Sequence, residues 1–431
     1  MEFKTDKEVL PAKRLGLGVT TLAGVGGILG AGIYVLIGIA AGQAGNAVWL
    51  SFLFAALGAG LTGISYARLV RLQPKDAPEF HYVGLAFGRR LGFLAGWLVL
   101  WARIIGVAIV SLGFAGYMFR LLGLPILTSA LALVLFSTLV LFLGVGVSAF
   151  TVGILTVVEV LGLIIIIGIG TPHIGRFDFL EMPLGISGVI GASALIFFVY
   201  LGFQDMVNFA EEMKNPARDL PKAIILALTI CTFFYILVSL AAISVLGWEG
   251  LSRSTAPLAE VAAKGLGAKA DLTLTLIALA STANTALIML FASSRAMWAM
   301  SCAGVLPRIF CLIARNRRTP WTAILVAGLL AGLLAIIKDI EGTAQAANFA
   351  ILLAFCLVNG SAVKLFSREG HRLGARRLFT DIVLPGAGVA VCLWLARETG
   401  WLSALLGAGL LLAGELVYRV MGSLSRNEMA G

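Results

Sequence analysis

Apolar runs of roughly 20 residues recur along the whole chain, separated by short polar connections. A helix of that length spans the hydrocarbon core of a bilayer, about 30 Å. The pattern predicts twelve spans, at residues 17–41, 46–69, 91–118, 127–145, 151–171, 186–210, 222–247, 271–301, 320–337, 345–366, 379–396 and 400–420. Polar ends remain at 1–16 and 421–431. The expected class is an all-α integral membrane protein.

Two of the spans are interrupted by small residues. Residues 24–34 read Gly-Val-Gly-Gly-Ile-Leu-Gly-Ala-Gly-Ile-Tyr. Each glycine costs a helix about 1 kcal/mol relative to alanine. Freed backbone groups at bilayer depth are tolerated only where they are buried in protein or line a cavity. The sixth span carries a similar interruption around Phe198-Val199-Tyr200-Leu201-Gly202-Phe203-Gln204-Asp205. The first and sixth spans head successive groups of five, residues 17–171 and 186–366. Matching interruptions in two halves point to inverted repeats with a binding site at the midplane. Spans 11 and 12, residues 379–420, lie outside the repeat. The plainer alternative is two glycine-rich helices that pack closely.

Composition agrees with a membrane protein: 60% of the 431 residues are hydrophobic, 13% are charged, and mean hydropathy is +1.00. A soluble domain carries about 25% charged residues. The net charge of +10 raises nucleic acid as a partner, but its distribution argues against one. Only Arg120, Arg176, Arg253, Lys264, Lys269, Lys338 and Arg397 fall on the side opposite the N-terminus, and Arg103 lies inside a span. The other lysines and arginines share the N-terminal side, which predicts cytoplasmic termini in a cell (inner) membrane. The basic excess then reads as orientation plus contact with the lipid bilayer. Residues 70–90 are too polar for a span and read as a cytoplasmic loop. The five cysteines fall in spans or on the cytoplasmic side, so no disulfide is expected. No cofactor, metal spacing or nucleophile–base set is evident, so an enzyme is not expected. The polar N-terminus lacks a cleavable-signal pattern, and the first span is expected to serve as the insertion signal.

Several stretches carry a family likeness. Gly30-Ala31-Gly32 precedes Ile33-Tyr34, Pro74 to Tyr82 follows the second span, and Ala210-Glu211-Glu212-Met213-Lys214-Asn215-Pro216-Ala217-Arg218-Asp219-Leu220-Pro221 follows the sixth. Ser294-Arg295, Met300, Gly304, Leu306 and Pro307 close the eighth. Over spans 1 to 10 the chain resembles the amino acid–polyamine–organocation superfamily of secondary transporters. The resemblance implies a leucine-transporter-like 5+5 inverted repeat with discontinuous helices 1 and 6, plus two further C-terminal helices. Ala77-Pro78 stands where relatives carry a glycine pair, and Gln204 where many carry an acid, with Asp205 one place on.

An unwound helix frees N–H donors at the start of the next half-helix, where the dipole favours negative charge. Ile28, Gly30, Ala31 and Gly32 therefore form a candidate cradle for a substrate carboxylate. Val199, Leu201 and Gly202 would offer carbonyls to an ammonium group. The resemblance implies the same division and casts Phe198 as a gating aromatic. Arg103, midway along the third span, costs at least about 2.5–3.5 kcal/mol at bilayer depth and should face protein or a watery cavity. It is either a counter-ion for an acidic substrate group or one half of an ion pair with Glu159 or Asp205. Glu159 shares a face with Thr156 and Gly162. A lone carboxylate in a low-dielectric interior favours its neutral form, which makes Glu159 the candidate proton-coupling residue. The family often has a lysine near this position, close to where sodium binds in sodium-coupled relatives. Ser281 and Thr285, one turn apart, either complete an ion site or bond between helices.

The expected function is amino acid transport by alternating access, with proton symport preferred and sodium coupling less so. The alternatives are an amino acid or amine exchanger, a non-transporting sensor of the same fold, and a channel.

Overall fold

The computed structural model describes residues 15–72, 77–144, 149–314, 319–367 and 378–430. The N-terminal residues up to Arg14, the loop positions Pro74 to Asp76 and the basic run Arg315 to Arg318 lie outside them. The chain runs through α1 (Leu17–Leu29), α2 (Gly32–Ala44), α3 (Val48–Leu69), α4 (Pro78–Phe87), α5 (Arg89–Leu122), α6 (Ile126–Phe142), α7 (Ala149–Gly170) and α8 (Gly185–Ile196). It continues through α9 (Pro216–Arg253), α10 (Pro257–Leu266), α11 (Ala268–Cys302), α12 (Trp321–Ala335), α13 (Ile340–Ser367), α14 (Leu384–Glu398) and α15 (Trp401–Ala430). Among the described residues there are no strands, only isolated bridges between Leu15 and Met213 and between Ala314 and Thr319.

Nine helical stretches among the described residues are long and apolar enough to cross a membrane. Shorter apolar helices, α1, α6 and α12, accompany them. The most hydrophobic window of α5 is 89% buried, that of α15 only 17%. Thus α5 is the central pillar, packed against α6, α11 and α13, while α15 lies at the rim. Outward-facing Leu135, Phe136, Phe233, Leu412 and Leu416 give the exterior the apolar character that lipid requires.

Small residues set the closest helix contacts, as membrane packing favours. A Cβ on Gly92 of α5 would lie 2.8 Å from the Gly84 backbone of α4, and one on Gly96 would meet Met300 of α11 at 3.2 Å. Charged residues pair between elements: Arg68 with Asp381 at 3.0 Å, Arg120 with Asp271 at 2.8 Å, and Arg90 with Glu415 at 2.8 Å. Glu415 also takes Arg419, one turn on, at 2.6 Å.

One expectation is overturned. Cys302 and Cys311 form a disulfide. The turn after α11 folds back through a short 3-10 helix (Arg308–Cys311) and brings their Cα atoms to 5.3 Å, within the range a disulfide spans. Compartment and sequence spacing carried no sign of that reversal.

Candidate functional site

Both interrupted spans are broken where the glycines fall. α1 stops at Leu29, Gly30 takes φ 17° and ψ −162°, and helix resumes at Gly32. α8 gives way to a 3-10 turn (Phe197–Tyr200), an extended Leu201, and Gly202 at φ 120°. A second 3-10 stretch, Phe203–Glu212, follows. Proximity of the breaks explains the choice of residue. A Cβ on Gly202 would collide with the carbonyl of Gly27, and one on Gly32 would sit 3.0 Å from the Cα of Val199. Gly202 is thus constrained twice, by its backbone angle and by the neighbouring chain. At their far ends the same two segments meet again, where the Lys214 N–H donates to the Leu15 carbonyl at 3.1 Å.

Unwinding frees backbone groups, and side chains from other helices meet several of them. The Ala31 N–H donates to Thr285 Oγ1 of α11 at 2.9 Å, while the Thr285 hydroxyl donates to the Ser281 carbonyl at 2.9 Å. Tyr235 of α9 places its hydroxyl 2.7 Å from the Ile28 carbonyl and 3.0 Å from that of Val199, bridging both breaks. The Gly202 N–H donates to Gln204 Oε1 at 3.0 Å. Thr285 therefore has a definite place, as the partner of the first break. Tyr235 escaped the sequence reading. Its signal was a phenolic hydroxyl in the middle of an apolar span, which must find an acceptor.

A cavity opens beside the breaks. Gly26, Gly27, Leu201 and Gly202 line it from the two interrupted spans, Arg103, Gln204, Asp205 and Thr285 are its polar residues, and Ala102, Ile288, Met289 and Ile351 form an apolar wall. Of the predicted binding residues, Arg103, Leu201 and Gly202 line it. Ile28, Gly30, Ala31, Gly32 and Val199 sit in or next to the breaks without forming its wall. Phe198 is 3% exposed and lies over Gly106 of α5, whose added Cβ would be 3.3 Å from the ring.

Arg103 is 7% exposed, and its guanidinium donates to Asp205. Its partner is therefore Asp205 rather than Glu159. Behind this pair lies a carboxylate that the sequence reading missed: Glu79 of α4 is 1% exposed and accepts a 2.7 Å hydrogen bond from the Tyr66 hydroxyl. Burial pushes the Glu79 carboxyl above the usual carboxylate range, opposed by the nearby Arg103 guanidinium and the Tyr66 bond. Nothing local in 70–90 marked Glu79 as buried, because its cover comes from α3 and α5.

Glu159 of α7 stands apart from this cluster. It is 1% exposed, and neither carboxyl oxygen has a hydrogen-bond partner among the described residues. Ser281 and Asn284 of α11 are its polar neighbours, and Ser281 Oγ too has no partner among the described residues. The surrounding face is tightly fitted to the first span. Tyr34 donates to the Glu159 carbonyl at 3.2 Å, and a Cβ on Gly26 would collide with Thr156. Gly26 also lines the cavity, so Glu159 sits one turn from a residue that touches the cavity wall.

The chain matches the amino acid permease family over residues 15–424 and belongs to it. Its relatives include the branched-chain amino acid permease of Bacillus subtilis (strain 168), 28% identical over 94% of this chain and 92% of the relative. The methylthioribose transporter of the same strain is 29% identical over 92% and 91%. Cationic amino acid transporter 4, vacuolar, of Arabidopsis thaliana is 30% identical over 83% of this chain and 64% of its own length. By name these relatives are transporters, not enzymes.

Proposed function

We propose that this member of the amino acid permease family is a secondary transporter that moves amino acids across the cell membrane by alternating access. The observation that carries the proposal is the pair of broken helices, pressed together at Gly27 and Gly202 beside a cavity. Freed main chain at that depth is tolerated only where it is buried in protein or lines a cavity, and matching breaks in two spans favour a midplane binding site. In this reading, twelve spans form a 5+5 inverted repeat, residues 17–171 and 186–366, with 379–420 appended. Both termini face the cytoplasm, as the basic residues favour.

The substrate carboxylate takes the N–H groups around Gly30, Ala31 and Gly32, displacing the Thr285 hydroxyl from Ala31. The ammonium takes carbonyls at Ile28, Val199 or Leu201 in place of Tyr235. Such exchange of hydrogen bonds keeps buried groups satisfied in the empty state. Phe198 closes over the site.

Glu159 carries the coupled proton. Its support is physical: a buried carboxyl with neither oxygen partnered among the described residues, one turn from a residue that touches the cavity wall. A charge left in such a place is costly, and a proton removes that cost. The test is uptake of labelled amino acids into proteoliposomes under an imposed proton gradient. Accumulation driven by the gradient is expected. Saturable counterflow that ignores the gradient would replace symport by exchange, and absence of saturable uptake for every amino acid would overturn the transport reading.

A further inference from the structure

We propose that Asp205 is the charge filter of the cavity, holding the Arg103 guanidinium so that amino acids with acidic side chains are refused. The inference rests on the amino acid reading above and narrows it to neutral and cationic substrates. Arg103 and Asp205 both line the cavity, and they are bound to each other. An arginine free in a dry cleft would be a strong attractor for a second carboxylate, because its planar fork matches carboxylate geometry. Here that place is already filled. An incoming aspartate or glutamate side chain would have to displace a tethered carboxylate, and would face its charge while doing so.

The local chain explains why Asp205 holds this position. Gly202 turns the backbone at φ 120°, and the Gln204 side chain folds back onto the Gly202 N–H. The next residue, Asp205, is the one that reaches α5. Glu79, fixed by Tyr66 behind the pair, is a second carboxyl close to Arg103. Among the described residues Arg103 Nε lacks a partner, and the pair as a whole presents no net charge to the cavity. Ala102, Ile288, Met289 and Ile351 make an apolar side of the wall that offers an acidic side chain no partner.

The experiment is a thermal-shift and competition series on the purified full chain, with glutamate and aspartate set against neutral and cationic amino acids. Wild type should be stabilised by at least one neutral or cationic amino acid and be indifferent to the acidic two. Asp205→Asn, close in shape, should gain affinity for glutamate or aspartate by at least roughly tenfold. The double variant R103Q/D205N should lose that gain. Acceptance of acidic amino acids by wild type overturns the filter. So does an Asp205→Asn protein that still answers to the wild-type ligand but stays blind to acids. If Asp205→Asn cannot be recovered folded, the response of wild type to the acidic pair decides. Silence of wild type toward every amino acid would instead sink the underlying substrate reading.

Discussion

The hydroxyl of Tyr235 rests 2.7 Å from the carbonyl oxygen of Ile28, so a side chain from α9 holds the frayed end of α1. Without it, that carbonyl and its neighbour on Val199 would be buried acceptors with one partner fewer. Tyr235→Phe is expected to destabilise the protein by about 1–3 kcal/mol and to slow uptake. Melting in detergent and initial rates in proteoliposomes check both. An unchanged melting temperature would mean that the bond contributes nothing net.

Gly202→Ala places a methyl group on the Gly27 carbonyl at a backbone angle that L residues rarely adopt. Loss of transport and a drop of more than about 2 kcal/mol in stability are expected. Gly60→Ala in α3 is the control, since nothing lies within 4 Å of an added Cβ there. It should be neutral or slightly stabilising.

Glu159→Gln keeps size and shape but cannot exchange a proton. Uptake by the variant should lose its dependence on the proton gradient while counterflow persists. A variant with the wild-type pH profile would remove Glu159 from the coupling step.

Thr285→Val leaves the Ala31 N–H without its acceptor and should cost about 1–3 kcal/mol. Thr285→Ser should restore most of it. If substrate takes over that N–H, saturating ligand will shrink the gap in melting temperature between Thr285→Val and wild type.

The raised Glu79 carboxyl makes a prediction with a definite sign. The folded state keeps this proton to a higher pH than the unfolded chain does. The stabilising linkage is therefore fully present below the ordinary glutamate pKa and is lost as pH rises through the folded value. Glu79→Gln, which keeps an acceptor for Tyr66, should flatten that decline. Unfolding midpoints measured between about pH 4 and pH 8 test it, and an equally steep decline in the variant would assign the effect elsewhere.

Features that are local in sequence were legible before the fold was known. The breaks at Gly30 and Gly202 follow from glycine spacing within apolar runs, because backbone propensity acts over a few residues. Gly92, Gly96 and Gly106 share the helical face of Arg103 at spacings readable from the sequence, and each closely meets a neighbouring element. Partnerships between distant elements were not legible in the same way. Glu159 and Asp205 were equal candidates for Arg103, and only the turn at Gly202 decides between them. Glu79 lay in a loop that composition marked as polar, and α3 and α5 bury it. Cys302 and Cys311 meet through a chain reversal that no spacing rule describes.

The paired contacts of Gly27 with Gly202 and of Leu15 with Lys214 fasten α1 and residues 203–212 to each other at top and bottom. Contact at both ends favours joint movement of the two strips. A motion that uncovers the cavity is then expected to swing them together, as a single door leaf.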